Sequence, residues 1–180
     1  MFTEPYIATI QDWDKYKTYH KLPKVVFLMT GSMIQLPEQV YELKKHNHEV
    51  FLHCDFIHGL NPNTKEAMEY IHEVICPDGI ISTKGSTIRN ANKVGLKTIQ
   101  RIFVLDTLSL TKSIESCRST KPNAVEVMPG IMPSIVAKLV AELPFPIIAG
   151  GLIHTKEDAQ AALDAGAHAV SASSSNIWGG

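Results

Sequence analysis

Short apolar runs dominated by valine and isoleucine recur along the chain. They are YIATI (6–10), VVFLMTG (25–31), EVFLHCD (49–55), GIIST (79–83), KTIQRIFVL (97–105), AVEVMPG (124–130), PIIAGG (146–151) and AVSASS (169–174). Runs of this length and composition predict strands. They are apolar almost throughout rather than at alternate positions, so both faces of the sheet should be covered, as in a parallel sheet flanked by helices. The segments between them, PEQVYELKKHN, NTKEAMEYIHEVI, TIRNANKV, LSLTKSIESCRS, PSIVAKLVAEL and TKEDAQAALDA, carry apolar residues three and four apart and predict helices. Their ends agree: Thr155 and Asp158 have capping-box spacing, Pro133 opens a helix, and Gly95 and Gly166 follow helices.

Eight strands in strict alternation with helices predict an α/β fold, a compact TIM-type (β/α)8 barrel, because closure removes both sheet edges. Nothing helical follows the eighth run except NIWGG, so the last helix is short or missing, and an open doubly wound sheet is the alternative. No linker, low-complexity stretch or charge block divides the 180 residues, which predicts a single barrel domain over 1–180. Lys plus Arg number 17 against 18 Asp plus Glu, a net charge of -1, so no global positive field exists to hold nucleic acid, and any RNA contact needs a local patch. Three widely spaced cysteines without a CxxC pair argue for a reducing compartment and against a structural zinc. With no apolar run of membrane-spanning length, a soluble cytoplasmic protein without membrane attachment is expected.

In such a barrel the ligand face is the C-terminal end of the strands. The candidates there are Thr30, Gly31 and Ser32, His53 with Asp55, Ser82 to Lys84, Arg101 with Asp106, Glu126, Gly150 with Gly151, and Ser171 to Ser175. The pair IIAGGLIHT and SASSSN is the most informative, because barrels often bind phosphate between the loops after strands seven and eight. Glycine allows close backbone approach, and N–H groups with hydroxyls can cradle phosphate oxygens; the competing reading is a tight turn and a solvated chain end. His53 and Asp55, two apart on one strand face, could with Glu126 hold a divalent cation or polyol hydroxyls, or simply form a polar pair at the mouth. Lys84 reads as a phosphate counter-charge, a Schiff-base amine or a surface lysine. Only one of Gln100 and Arg101 can point inward, and Arg101 is the better anion ligand. The segment WDKYKTYHKLPK could stack bases and meet phosphates, but Trp13, Tyr16 and Tyr19 fall at three-residue steps and equally form a helix packing stripe. Lys44, Lys45 and His46 read as a solvated helix end.

The ordered set FLMTG, HCDFIHGL, DGIISTK, TIQRIFVLD, VEVMPGIMP and PIIAGGLIHTKEDAQAALDAGAHAVSASSSNIW resembles the bacterial glycerol-3-phosphate-responsive antiterminator family over nearly the whole chain. The resemblance implies a regulator, not an enzyme, that takes glycerol 3-phosphate as effector, without a cofactor or metal. It would act on the leader mRNA of glycerol-uptake genes to prevent premature termination. Carried over by position, Gly150, Gly151, Ser173 and Ser174 would hold the phosphate, with Thr30 and Gly31 also at the ligand. Asp55 and Glu126 would receive the glycerol hydroxyls, and Lys84 and Arg101 would balance charge. Ser32 stands after Thr-Gly where the family often has asparagine, and SASSSN replaces a shorter Ser-Thr-Ser pattern. Self-association into a homo-oligomer is left open. The competing functions are a TIM-barrel isomerase, aldolase or lyase on a small phosphorylated metabolite, with Asp55, Glu126 and Lys84 as acid, base and amine, and a barrel acting only through a protein partner.

Overall fold

The computed structural model describes residues 3–19 and 21–179. Eight parallel strands, β1 (Tyr6–Ile10), β2 (Val25–Leu28), β3 (Glu49–His53), β4 (Gly79–Ser82), β5 (Lys97–Phe103), β6 (Ala124–Met128), β7 (Ile147–Gly150) and β8 (Ala169–Ala172), pair in chain order. The register Tyr6↔Val170 to Ala8↔Ala172 joins β8 back to β1, closing the barrel and setting aside the open sheet. Alternate residues face inward: Ile7, Val25, Phe27, Phe51, Ile81, Ile99, Ala124, Ile148 and Ala169 form a buried cluster of their own. The Phe27 and Phe51 rings meet edge to face at 6.0 Å within it. The residues between them, such as Val26, Leu28, Val50, Leu52, Val125 and Val127, belong to the larger core under the helices. That two-sided burial is why the strands read as continuous apolar runs.

The helical layer comprises α1 (Trp13–Tyr16), α2 (Leu36–Lys45), α3 (Lys65–Tyr70), α4 (Gly85–Lys93), α5 (Thr107–Thr120), α6 (Pro133–Glu142), α7 (Lys156–Asp164) and α8 (Ser175–Trp178). Pro133 opens α6, and the Thr155/Asp158 capping box closes on α7 in both directions. Gly95 and Gly166 follow α4 and α7 with positive φ. Most strands stop one to three residues short of the apolar runs, and two departures bear on the site. The second and third apolar runs were expected to reach Gly31 and Asp55, yet β2 stops at Leu28 and β3 at His53, where Cys54–Phe56 turns as a 3-10 helix. The helix expected over 63–75 is α3 continued by a π-helical stretch, Ile71–Ile75, closed by Cys76 at φ 55°. The short last helix is one turn, held where Trp178 Nε1 donates to the Ala172 carbonyl at 2.9 Å.

The barrel fits 180 residues because α1 and α8 are single turns. Trp13 stacks on Tyr16 at 4.5 Å, and Tyr19 meets Trp178 edge-on at 5.1 Å. All three aromatics of the first segment pack against the outer core, as the packing-stripe reading expects. His20 of that segment and Gly180 of NIWGG lie outside the described residues.

Candidate functional site at the barrel mouth

Seven of the inward apolar residues are followed, two positions further along the chain, by a residue outside that cluster. Ile7 leads to Thr9, Phe27 to Met29, Phe51 to His53, Ile99 to Arg101, Ala124 to Glu126, Ile148 to Gly150 and Ala169 to Ser171. The strand period of two therefore lays a polar layer directly on top of the apolar plug. Arg101 and Glu126 are 4% and 0% exposed and form an ion pair, Nε to Oε2, of 2.7 Å. Ser171 Oγ donates to Glu126 Oε1 at 2.6 Å, so both carboxylate oxygens are occupied. Gln100 points the other way and donates to Ser116 of α5, leaving Arg101 as the inward residue of the pair.

Gly150 is required by this cluster: a Cβ there would stand 2.6 Å from Glu126 Oε1 and overlap Ser171 Oγ. A cleft of about 290 Å³ opens above, with Arg101, Met29 and Ser171 toward the lumen. The loop after β7, from Gly151 to His154, and the loop after β8, Ser173 and Ser174, form its sides. Gly151 and Leu152 both have left-handed backbones, φ 76° and 60°. From the far side, Asp158 Oδ2 accepts the backbone N–H groups of His154 and Thr155 at 3.1 and 2.9 Å, fixing the loop to the start of α7. Three hydrogen bonds, two of them the capping box, thus hold the loop after β7 in place.

The other expected residues stand elsewhere. Asp55 was expected to share a strand face with His53 and to receive hydroxyls together with Glu126; past the end of β3 it accepts from Ser82 Oγ at 2.9 Å and from Thr83 N and Oγ1 at 2.8 Å each. Burial works to raise its pKa, but the hydrogen bonds from Thr83 and Ser82 prevail and hold the carboxyl below the ordinary range. Lys84 is exposed at the N-cap of α4 and does not line the cleft. Thr30 and Gly31 line a second, polar cleft with Gln35, Gln39 and His58. There the bare Gly31 makes room for Gln39, whose Oε1 would lie 2.7 Å from a Cβ. Gln11 reaches both clefts.

His53 is 1% exposed, and burial followed by the Arg101 charge pushes its pKa down to about 3. No three His, Cys, Asp or Glu side chains converge as a metal site among the described residues. Burial pushes the thiols of Cys54 and Cys117 up, that of Cys117 to about 12, so neither is a thiolate nucleophile. Sequence reasoning named Ser171 among the strand-end candidates but passed over Thr9 and Met29 as cleft residues. The signal that finds them is the position two beyond each inward apolar residue, which requires knowing which face is inward.

The family described as glycerol-3-phosphate responsive antiterminator matches residues 6–178. The chain belongs to this antiterminator family. A crystal structure of the glycerol uptake operon antiterminator regulatory protein of Listeria monocytogenes superposes with a TM-score of 0.90 at 31% identity, covering 99% of this chain and 97% of that one. A glycerol uptake operon antiterminator-related protein of Thermotoga maritima gives 0.86, also at 31% identity, over 97% and 98%. The Escherichia coli (strain K12) protein YgcP is 29% identical over 153 residues, 85% of this chain and 80% of its own. Outside the antiterminators, a deoxyribose phosphate aldolase of Aeropyrum pernix, at 15% identity and TM-score 0.67 over 94% and 85%, shares the TIM-type fold alone. The antiterminator chain has no described helix long and apolar enough to cross a membrane.

Proposed function

We propose that this barrel, acting as a single domain, is a glycerol 3-phosphate sensor that binds the leader mRNA of glycerol-uptake genes and prevents premature termination. The observation that carries the reading is a cleft between the loops after β7 and β8 with a buried arginine at its base, in a chain of this family. The phosphate lies between Gly151 and the Ser173/Ser174 pair, which line opposite loops of the cleft and can offer it backbone N–H groups and hydroxyls. Arg101 spends Nε on Glu126, and its remaining N–H groups serve the ligand from low-dielectric surroundings, where charge-assisted bonds are strong. Glu126, with both oxygens occupied, holds Arg101 in place rather than receiving a hydroxyl. Asp55 ties the end of β3 to the start of α4, and Lys84, Thr30 and Gly31 act outside the phosphate cleft.

The reading of a regulator over an enzyme rests on the family and on the site. The aldolase likeness is one of fold, and Lys84 stands exposed rather than in the apolar pocket that activates a Schiff-base amine. Calorimetric titration with glycerol 3-phosphate, glycerol and inorganic phosphate tests the ligand. The whole ligand should bind far more tightly than either part, and equal affinity for inorganic phosphate would leave only a generic anion site.

A further inference from the structure

His53 is buried, 1% exposed, and neither ring nitrogen has a hydrogen-bond partner. Unmet buried polar atoms cost folding stability, so the two His53 nitrogens call for a partner that the protein's own side chains and backbone do not supply. Its position says what. His53 stands two residues beyond Phe51 on the inner face of β3, and Met29 two beyond Phe27 on β2. Phe27 and Phe51 are register partners, so Met29 and His53 are neighbours in the polar layer. Met29 lines the cleft, with its sulfur 3.7 Å from Arg101 Nη2, while His53 does not line it. The His53 ring meets Phe56 at 4.6 Å.

The imidazole is neutral at physiological pH, so one nitrogen donates and the other accepts. A phosphate dianion has no proton for the accepting nitrogen, whereas an alcohol both donates and accepts. We propose that His53 reads the polyol end of the ligand: Met29, an adaptable side chain, swings aside and the ring nitrogens exchange hydrogen bonds with ligand hydroxyls. The inference rests on the glycerol 3-phosphate reading above and names the residue that distinguishes glycerol 3-phosphate from a plain alkyl phosphate.

The test compares wild type with His53→Phe by thermal unfolding without ligand. Both are then titrated with glycerol 3-phosphate, n-propyl phosphate, which lacks the hydroxyls, and inorganic phosphate. A ring of similar shape without unmet nitrogens should leave the melting temperature unchanged or raised. Affinity for propyl phosphate should hold while that for glycerol 3-phosphate falls about 10-fold or more, erasing the preference between them. An unchanged preference in the folded variant overturns the inference, as does a lowered melting temperature with all ligands weakened alike. If His53→Phe does not fold, His53→Gln is judged by the same preference. Wild type that binds both organophosphates equally overturns the role of His53 but keeps the phosphate cleft; wild type that binds neither overturns the ligand reading as well.

Discussion

Arg101 and Glu126 are almost wholly buried together, and each is tolerable there only because of the other. Removing the charge of Glu126 while keeping its shape, Glu126→Gln, should cost about 3 kcal/mol or more of unfolding free energy. Denaturant titration checks it, and a near-neutral result would mean that Arg101 is hydrated. His53 makes a second prediction at this scale. Its pKa falls from 6.5 to about 3 on folding, so between those values the unfolded chain binds the proton and the folded chain does not. Stability should therefore decline as pH drops from about 6.5 toward 3, with a slope from this group of at most about 1.4 kcal/mol per pH unit. The depressed Asp55 adds to the loss only at the acid end. His53→Phe should flatten the part of the curve above the carboxylate range; an unaltered curve would place the titration elsewhere. At Gly151, the left-handed backbone is one that aspartate tolerates, and a Cβ would stand 3.4 Å from Met128, so Gly151→Asp should fold. It puts a negative charge beside the phosphate and should abolish measurable binding, as the double change Ser173→Ala, Ser174→Ala should weaken it. Unchanged affinity in folded variants would move the site away from these loops.

At the scale of elements, the loop after β7 depends on α7. Thr155→Ala removes the hydroxyl that caps Asp158 N and should cost about 1 kcal/mol, read by denaturation, with weaker ligand binding if the loop loosens. The strands and most helices were legible because burial on both sides writes continuous apolar runs and one-sided burial writes three- and four-residue spacing. The caps of α6 and α7 were legible because they are local chemistry. The end of β3 was not: Cys54 is apolar enough to continue a strand, and only packing turns it into a 3-10 helix that carries Asp55 toward Ser82 and Thr83. The same limit explains the candidate site. Gly150, Gly151, Arg101, Glu126, Ser173 and Ser174 were readable as strand-end residues, but that Arg101 and Glu126 pair, and that Thr30 and Gly31 face another cleft, depends on barrel stagger, which no local pattern carries.

For the whole molecule, a net charge of -1 means that the fold supplies little general attraction for RNA. A sensor built this way needs its ligand to raise RNA affinity, and linkage then requires RNA to raise ligand affinity by the same factor. A coupling of about 1 to 3 kcal/mol, or roughly 5- to 150-fold, is the normal range for such a switch. The most direct measurement is the affinity of wild type and Gly151→Asp for the glycerol-uptake leader transcript at fixed salt, with and without saturating glycerol 3-phosphate. Wild type should bind the transcript more tightly with the ligand present, and Gly151→Asp should show no such response. Transcript affinity indifferent to the ligand in wild type, or conversion of glycerol 3-phosphate to a product during the assay, would contradict a sensor and point to an enzyme instead.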